Sequence, residues 1–128
     1  MSAAVPGRLD ARAILVSART RLADPDRWLH DGEHEAVDAR GYAVVLPWDE
    51  AAVRWTVDGA LSAAQGGDRA TNEALRLLCD AAGLSSPTDV APVDWLAFAT
   101  WHDAPERTHE EVLTVLDAAI AAAPPEAS

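Results

Sequence analysis

The chain has 128 residues and a formal net charge of −11, with 21 Asp and Glu residues against 10 basic residues, all of them arginine. Its length and its apolar content of 49% predict one globular domain over residues 1–128, with an ordered core at about 9–123 and short polar tails. The negative charge argues against a nucleic-acid or anionic-membrane partner, because both bind basic surfaces. The absence of lysine excludes Schiff-base chemistry and lysine as a catalytic base.

The amino-terminal segment indicates where in the cell the protein lies, and the single cysteine indicates a core position. Arg8, Asp10 and Arg12 interrupt the apolar run that a signal peptide needs, and no stretch approaches the length of a membrane span. We therefore expect a cytoplasmic protein. Cys79 lies among leucines and alanines and is expected to fill a helix position in the core. Abundant alanine without lysine is typical of a high-GC bacterial genome.

The first part of the chain combines an amphipathic helix with a turn-rich segment. Apolar side chains at helical spacing predict a helix over residues 9–23, which Asp24-Pro25-Asp26 breaks or restarts. Residues 31–47 then combine two glycine-containing turns with a β-prone run. This pattern predicts a short β-hairpin or ordered loop near residues 33–46.

The middle of the chain predicts two helices from the same periodicity. The first runs from about Asp49 to Gln65, and Gly59 in its interior indicates that another backbone approaches closely. The second covers about residues 69–82, and Gly83 is placed to end it.

Two more helices follow towards the C-terminus. Pro92 starts one that carries Trp95, Phe98, Trp101 and His102. Thr108 and Glu111 have the spacing of a capping box and begin the last helix, which Pro124-Pro125 ends. The fold class predicted from these elements is mainly α, a compact bundle of about five helices.

Two stretches carry a resemblance to a known family. They are Trp55-Thr56-Val57-Asp58-Gly59-Ala60-Leu61 and Trp101-His102-Asp103-Ala104-Pro105-Glu106-Arg107-Thr108-His109-Glu110-Glu111-Val112. They resemble the motifs Trp-Cys-x-x-Gly-Ala-Leu and Trp-Asn-Asp-x-Pro-x-Arg-Thr-x-x-Glu-Val of an uncharacterised domain family of actinobacteria and their phages. With Trp28 and the two turns that follow it, the resemblance covers roughly residues 9–120. It implies an architecture of helices and a short hairpin, and no reaction.

The chain departs from that family pattern at two positions. Thr56 stands where the pattern has cysteine, and His102 where it has asparagine. The first departure removes any role of a family cysteine from this chain. The second indicates a member adapted to its own task.

His102 and Asp103 form the sharpest candidate site. Trp95, Phe98 and His102 share one helical face, so the imidazole projects beside large aromatic rings. Partial burial lowers an imidazole pKa and a neighbouring carboxylate raises it, which is how a general base is set near neutrality. The alternative, which we favour, is structural: His102 and Asp103 cap the helix end and hold the following turn.

His30-Asp31-Gly32-Glu33-His34 matches the His-x-x-Glu-His pattern of some zinc peptidases. That chemistry needs both histidines on one face of a continuous helix and a third ligand elsewhere. Gly32 in a turn-rich context argues against the helix, so we expect a solvated turn and no metal.

The tryptophans and Asp58 supply the remaining candidates. The five indoles are Trp28, Trp48, Trp55, Trp95 and Trp101, and they can fill the core of an alanine-rich bundle or wall a flat apolar pocket. Arg54 and Asp58 have the i, i+4 spacing of a surface ion pair, although Asp58 can instead face a pocket beside Trp55.

Three functions stay open. The first is a small-molecule binding protein or small cofactor-free acid–base enzyme of actinobacterial specialised metabolism, with an apolar or cationic ligand. Its site would lie between the second and fourth helices, with Trp55, Trp95, Trp101 and Phe98 as binding residues and His102, Asp103 and Asp58 as catalytic residues. The second is an acidic interaction or adaptor domain. The third is a metal-dependent hydrolase that uses His30 and His34.

Overall fold

The structure is a computed structural model that describes residues 10–30, 34–84 and 95–124, apart from the side chains of Trp95 and Leu96. Within these ranges the elements are α1 Ala11–Arg21, a 3-10 helix Pro25–Arg27, β1 Ala36–Val37, β2 Arg54–Trp55, α2 Val57–Ala63, α3 Asp68–Ala81, α4 Trp95–Asp103 and α5 His109–Ala122. Five helices and a small antiparallel strand pair confirm the predicted mainly α bundle with a short hairpin. No helix in the described ranges is long and apolar enough to cross a membrane.

The core lies between α1, α3 and α5, which pack against one another, and α2 packs on α1. The predicted apolar stripes supply fully buried side chains from each of the three helices, among them Ile14, Leu15, Leu75, Leu78 and Leu116. Cys79 is buried on α3 as expected. Asp10 begins α1 by accepting a hydrogen bond from the Ala13 N–H at 2.8 Å, which satisfies one of the donors that a helix start leaves open.

The hairpin differs in detail from the predicted one, because β1 pairs with a distant partner. Ala36 lies opposite Trp55 and Val37 opposite Arg54, in antiparallel register. The predicted β-prone run joins this pair only through a single bridge between Val37 and Ala43. The segment between the strands is therefore an ordered loop rather than a second strand.

The helix predicted from Asp49 to Gln65 is wrong in its first part. Residue 49 starts a turn, and Val53 donates its N–H to the Val37 carbonyl at 2.9 Å instead of to a helical acceptor. Helix α2 begins only after Thr56, whose hydroxyl accepts the Gly59 N–H at 3.0 Å. Pairing with β1 overrides the helical spacing of the apolar residues at this point.

Gly59 shows the predicted close approach. A Cβ at this position would collide with the Glu35 carbonyl oxygen and would lie 2.8 Å from its carbon. The same carbonyl accepts the Thr56 N–H at 3.0 Å. The start of α2 is thereby held directly against the residue that precedes β1.

The helix ends at α3 and α5 follow the predicted signals. Gly83, just beyond α3, has a φ of +79°, a conformation that glycine adopts without strain. Thr108 and Glu111 form the predicted capping box: the Glu111 N–H donates to the threonine hydroxyl at 3.1 Å, and the Thr108 N–H donates to the glutamate carboxylate at 2.9 Å. Pro92, the predicted start of α4, lies outside the described residues.

Candidate functional site

His102 is the centre of a buried polar cluster. It lies near the end of α4 with 2% of its surface exposed. The indole N–H of Trp28 donates to its Nε2 at 2.8 Å, and its Nδ1 lies 2.9 Å from Asp103 Oδ1. Because an indole nitrogen can only donate, Nε2 carries no proton and the ring proton sits on Nδ1, where it is donated to the carboxylate.

Burial lowers the pKa of His102, and the hydrogen bond and charge of Asp103 only partly oppose this effect. The ring is therefore neutral at neutral pH, in one fixed tautomer. Both of its nitrogens are already bonded within the protein. In this geometry His102 offers no lone pair to a substrate proton.

Three histidines surround the indole of Trp28. His30 stacks on it with ring centroids 4.7 Å apart, and His102 meets it edge-on at 5.7 Å. His109, the first residue of α5, lies with its ring centroid 5.9 Å from the indole. Its Nε2 is 2.6 Å from the Leu22 carbonyl oxygen and donates to it, which ties α5 to the end of α1. The cluster therefore joins the segment after α1 to α4 and α5.

Asp58, in the first turn of α2, is the unusual acid of the site. Its Oδ1 is buried and has no hydrogen-bond partner in the described part of the chain. Burial raises the pKa of Asp58 to about 7, and the nearby charges of Glu35 and Asp103 add to the rise. The carboxyl is therefore divided between its acid and base forms near neutral pH. The predicted ion pair with Arg54 is wrong, because that arginine lies on β2.

His30 supplies a second unsatisfied polar atom. Its Nε2 is buried and has no hydrogen-bond partner among residues 10–30, 34–84 and 95–124. Its ring centroid is 5.9 Å from that of His102. Asp58 and His30 thus both border the pair formed by His102 and Asp103, and each keeps an open hydrogen-bonding position. Buried polar atoms without a partner are rare in folded proteins and cost stability.

The predicted ligand-binding aromatics take different positions. Trp55 is 4% exposed, donates its indole N–H to the Pro47 carbonyl at 2.8 Å and has the Arg21 guanidinium over its ring. Trp101 stacks on Phe98 at 5.6 Å. Both tryptophans therefore pack against other parts of the protein.

The face predicted for α4 is present in part. Phe98 is buried, and its ring centroid lies 6.4 Å from that of His102. The side chain of Trp95 lies outside the described residues. Asp103, also predicted, contacts His102, and its charge acts on the Asp58 carboxyl. These three polar residues of the predicted site therefore lie in one region of the fold.

The sequence prediction missed the indole and two of the three histidines of this cluster. It treats Trp28 as a core candidate and His30 only as a possible metal ligand, and it gives His109 no role in a site. The chain separates Trp28 from His102 by 74 residues, so no local spacing connects them. The one available signal is chemical, since a buried indole N–H needs an acceptor.

The metal alternative concerned His30 and His34. His34 is exposed, and Asp31, Gly32 and Glu33 between them lie outside the described residues. No group of three His, Cys, Asp or Glu side chains placed to hold a metal ion occurs in the three described ranges.

A cavity of about 360 Å³ lies beside Trp101, between the end of α3 and the start of α5. Three of its polar side chains, those of Arg107, Thr108 and Glu111, form hydrogen bonds within the protein. Arg107 donates from Nε to the Trp101 carbonyl at 2.9 Å and from Nη1 to Glu111 at 3.1 Å, and its guanidinium lies 4.0 Å over the Trp101 ring. These three side chains therefore stabilise the wall of the cavity.

The fold and the site define a mainly helical domain with a buried cluster of indole, histidine and carboxyl groups. The model of a family of unknown function, DUF6197, matches residues 6–122, and the chain belongs to this family. This confirms the resemblance to an uncharacterised family and assigns no activity. No curated protein and no solved structure matches the chain.

Proposed function

We propose that the chain is a small-molecule binding protein or a cofactor-free acid–base enzyme in which Asp58 is the group that exchanges protons. One observation carries the proposal: Asp58 has a buried oxygen without a hydrogen-bond partner among the described residues and a pKa raised to about 7. Strongly perturbed carboxyls of this kind are concentrated at functional sites. A group that titrates near the working pH is also the most effective general acid or base.

The neighbouring residues have supporting roles. Asp103 fixes the tautomer of His102, and the Trp28 indole occupies its second nitrogen. This arrangement gives a rigid, neutral wall beside Asp58 rather than a second base. His102 and Asp103, predicted as catalytic, are therefore positioning residues in this proposal, and His30 offers a further hydrogen-bonding atom to a ligand.

The ligand class follows from the same groups. Carboxyl groups of Asp58, Asp103 and Glu35 interact electrostatically, which favours a ligand that carries positive charge or donates hydrogen bonds. The stacked Trp28 and His30 rings favour a ligand with a flat apolar part. The proposal places this function in the cytoplasm and in an actinobacterial specialised-metabolite pathway; the indoles and His102 support it, and the alanine-rich, lysine-free composition is typical of a high-GC bacterial genome.

A thermal-shift screen tests the proposal. The probes are planar aromatic amines, the matching aromatic acids and uncharged aromatic heterocycles. A ligand of the folded state raises the melting temperature. We expect hits among the amines that are lost in Asp58→Asn and kept in Asp80→Asn, a control on the exposed surface of α3. Equal responses of both variants would remove Asp58 from the binding site.

A further inference from the structure

A strip of exposed apolar side chains lies on the loop between β1 and β2. Six large hydrophobic side chains of the described chain are exposed, and five of them belong to this loop: Tyr42, Val45, Leu46, Trp48 and Val53. Val45 is 90% exposed and Tyr42 66%. Single exposed apolar residues are common, but five of them concentrated within residues 42–53 of one loop indicate an interaction site. These five residues are called the apolar strip below.

The loop is held in place at both ends by hydrogen bonds. Asp38 accepts the N–H groups of Arg40 and Tyr42 through Oδ1, and its own N–H donates to the Tyr42 carbonyl. Val44 donates its N–H to the Ala36 carbonyl at 3.0 Å. A surface that is ordered before binding loses little conformational entropy when a partner docks.

The middle of the loop is fixed as well. Pro47 is buried, and its carbonyl accepts the indole N–H of Trp55. Asp49 closes a turn, accepting the Ala51 N–H through Oδ1 and the Ala52 N–H through its carbonyl. Because Pro47 is anchored in this way, Trp48 is presented outwards with 43% of its surface exposed.

The charges around the apolar strip select the partner. Residues 35–54 carry four carboxylates and two arginines, and the exposed Asp49 and Glu50 directly follow Trp48. A second copy of the chain would bring another net charge of −11 to the same contact. Like charges across an interface oppose association, and opposite charges steer it.

We propose that the apolar strip docks a segment of another protein that has an apolar face flanked by lysine or arginine. Trp48 is the aromatic anchor of this contact, and Asp49 and Glu50 receive the basic flank. Such a segment is a basic amphipathic helix or a strand of the same chemistry. This contact would give the domain a protein partner in addition to a small ligand.

The test uses the full chain and two synthetic amphipathic helical peptides of equal length. Both peptides carry leucine at the same positions. All remaining positions are lysine in one peptide and glutamate in the other. Amide chemical shifts of the chain locate the contact, and titration of the peptide into the chain gives the binding affinity. We expect the lysine peptide to bind, with the largest shifts at residues 42–53, and the glutamate peptide not to bind.

Two matched variants separate specific docking from general charge attraction. Val45→Asp and Val16→Asp each add one negative charge at an exposed valine, the second on α1 and outside the strip. We expect Val45→Asp to weaken peptide binding roughly tenfold or more and Val16→Asp to leave it unchanged or slightly stronger. Equal effects of the two variants would overturn the proposal.

Sedimentation of the wild-type chain supplies a second measurement. A concentration-dependent dimer that Val45→Asp dissociates would show that a second copy occupies the strip and would also overturn the proposal. A monomer at all concentrations, together with strip-specific binding of the lysine peptide, supports it.

Discussion

Asp58→Asn should change the way in which the stability of the domain depends on pH. The native carboxyl titrates at about 7 instead of its usual 3.8, so the native state opposes its ionisation. Ionisation of Asp58 therefore lowers the unfolding free energy: this loss of stability is absent below about pH 4, grows as pH rises and is complete above about pH 7. The full cost corresponds to about 4 kcal/mol of unfolding free energy, as an order of magnitude. Asparagine has the same shape and no charge, so the variant loses this cost.

His102 makes the opposite contribution. Its native pKa is lowered from 6.5, so the stability from its neutral form is present above pH 6.5 and is lost as pH falls below that value. In the wild-type protein the two effects partly cancel as pH falls below 6.5, because acidification weakens the histidine contribution and relieves the cost of the ionised Asp58. In Asp58→Asn the effect of Asp58 on stability is removed and that of His102 remains. We therefore expect a variant that is more stable than wild type at alkaline pH and that loses stability more steeply on acidification.

Urea denaturation followed by tryptophan fluorescence measures both slopes. The difference in unfolding free energy between Asp58→Asn and wild type should be positive at about pH 8 and smaller by a few kcal/mol at about pH 5. Asp80→Asn, on the exposed surface of α3, controls for a general change of charge. A constant difference between Asp58→Asn and wild type across this pH range would refute the assignment of an abnormal carboxyl.

Three further substitutions test the frame around the site. Gly59→Ala should lower the unfolding free energy by roughly 1–3 kcal/mol because its methyl group meets the Glu35 carbonyl. Without that contact, alanine would raise the unfolding free energy by about 1 kcal/mol through its better helix propensity, so an increase would contradict the close approach. Thr108→Ala should cost about 1 kcal/mol through loss of the capping box, and an unchanged urea midpoint would contradict it. Trp28→Phe should cost about 1–3 kcal/mol by leaving a buried histidine nitrogen without its donor, whereas Trp48→Phe, at an exposed position, should change stability by less than about 0.5 kcal/mol.

The helices and their caps were predictable because their signals are local. The stripes of α1, α3 and α5 repeat at helical spacing, and the capping box at Thr108 needs only residues three positions apart. The start of α2 was not predictable in the same way. Residues 49–53 have a helical apolar spacing, but the Val53 N–H bonds to Val37, sixteen residues earlier in the chain. A contact of that kind has no local trace.

The candidate site was also predictable only where its signals are local in the sequence. Asp58, His102 and Asp103 were predicted, since each belongs to a motif in which a titratable group stands beside aromatic residues. The raised pKa of Asp58 was not predicted, because it depends on burial and on the charges of Glu35 and Asp103 from other elements. The surroundings of a carboxyl follow from packing and not from its neighbours in the chain.

The two stretches on which the resemblance rests consist largely of framework residues. In the first, Trp55 donates a hydrogen bond to a loop carbonyl, Thr56 caps α2, and Gly59 allows the Glu35 backbone to approach closely. Asp58 is the polar residue in that motif that this framework does not use. The motif therefore brings one chemically available side chain to a position that the surrounding contacts hold rigidly.

The second motif follows the same logic. Arg107 braces the Trp101 carbonyl, and Thr108 and Glu111 cap α5. His102 and Asp103 are left to face the cluster around Trp28. Asp58 from the first motif and the His102–Asp103 pair from the second thus lie close enough for their charges to interact, which is why we locate the proposed function there and not at the cavity beside Trp101.

The resemblance implies asparagine at the position of His102, and the hydrogen bonds of His102 are ones that an asparagine can also form. A neutral histidine offers one acceptor to Trp28 and one donor to Asp103, and an asparagine side chain offers the same pair through its oxygen and its amide N–H. His102→Asn should therefore keep the fold, at a cost of about 1 kcal/mol, while His102→Ala leaves the indole N–H and the carboxylate unsatisfied and costs about 2–4 kcal/mol. Urea denaturation compares the two variants. If His102→Asn binds or turns over a ligand found with the wild-type chain, the position serves as a hydrogen-bonding wall; if it folds normally and loses that activity, proton transfer by the imidazole is required and the role assigned here to Asp58 alone is wrong.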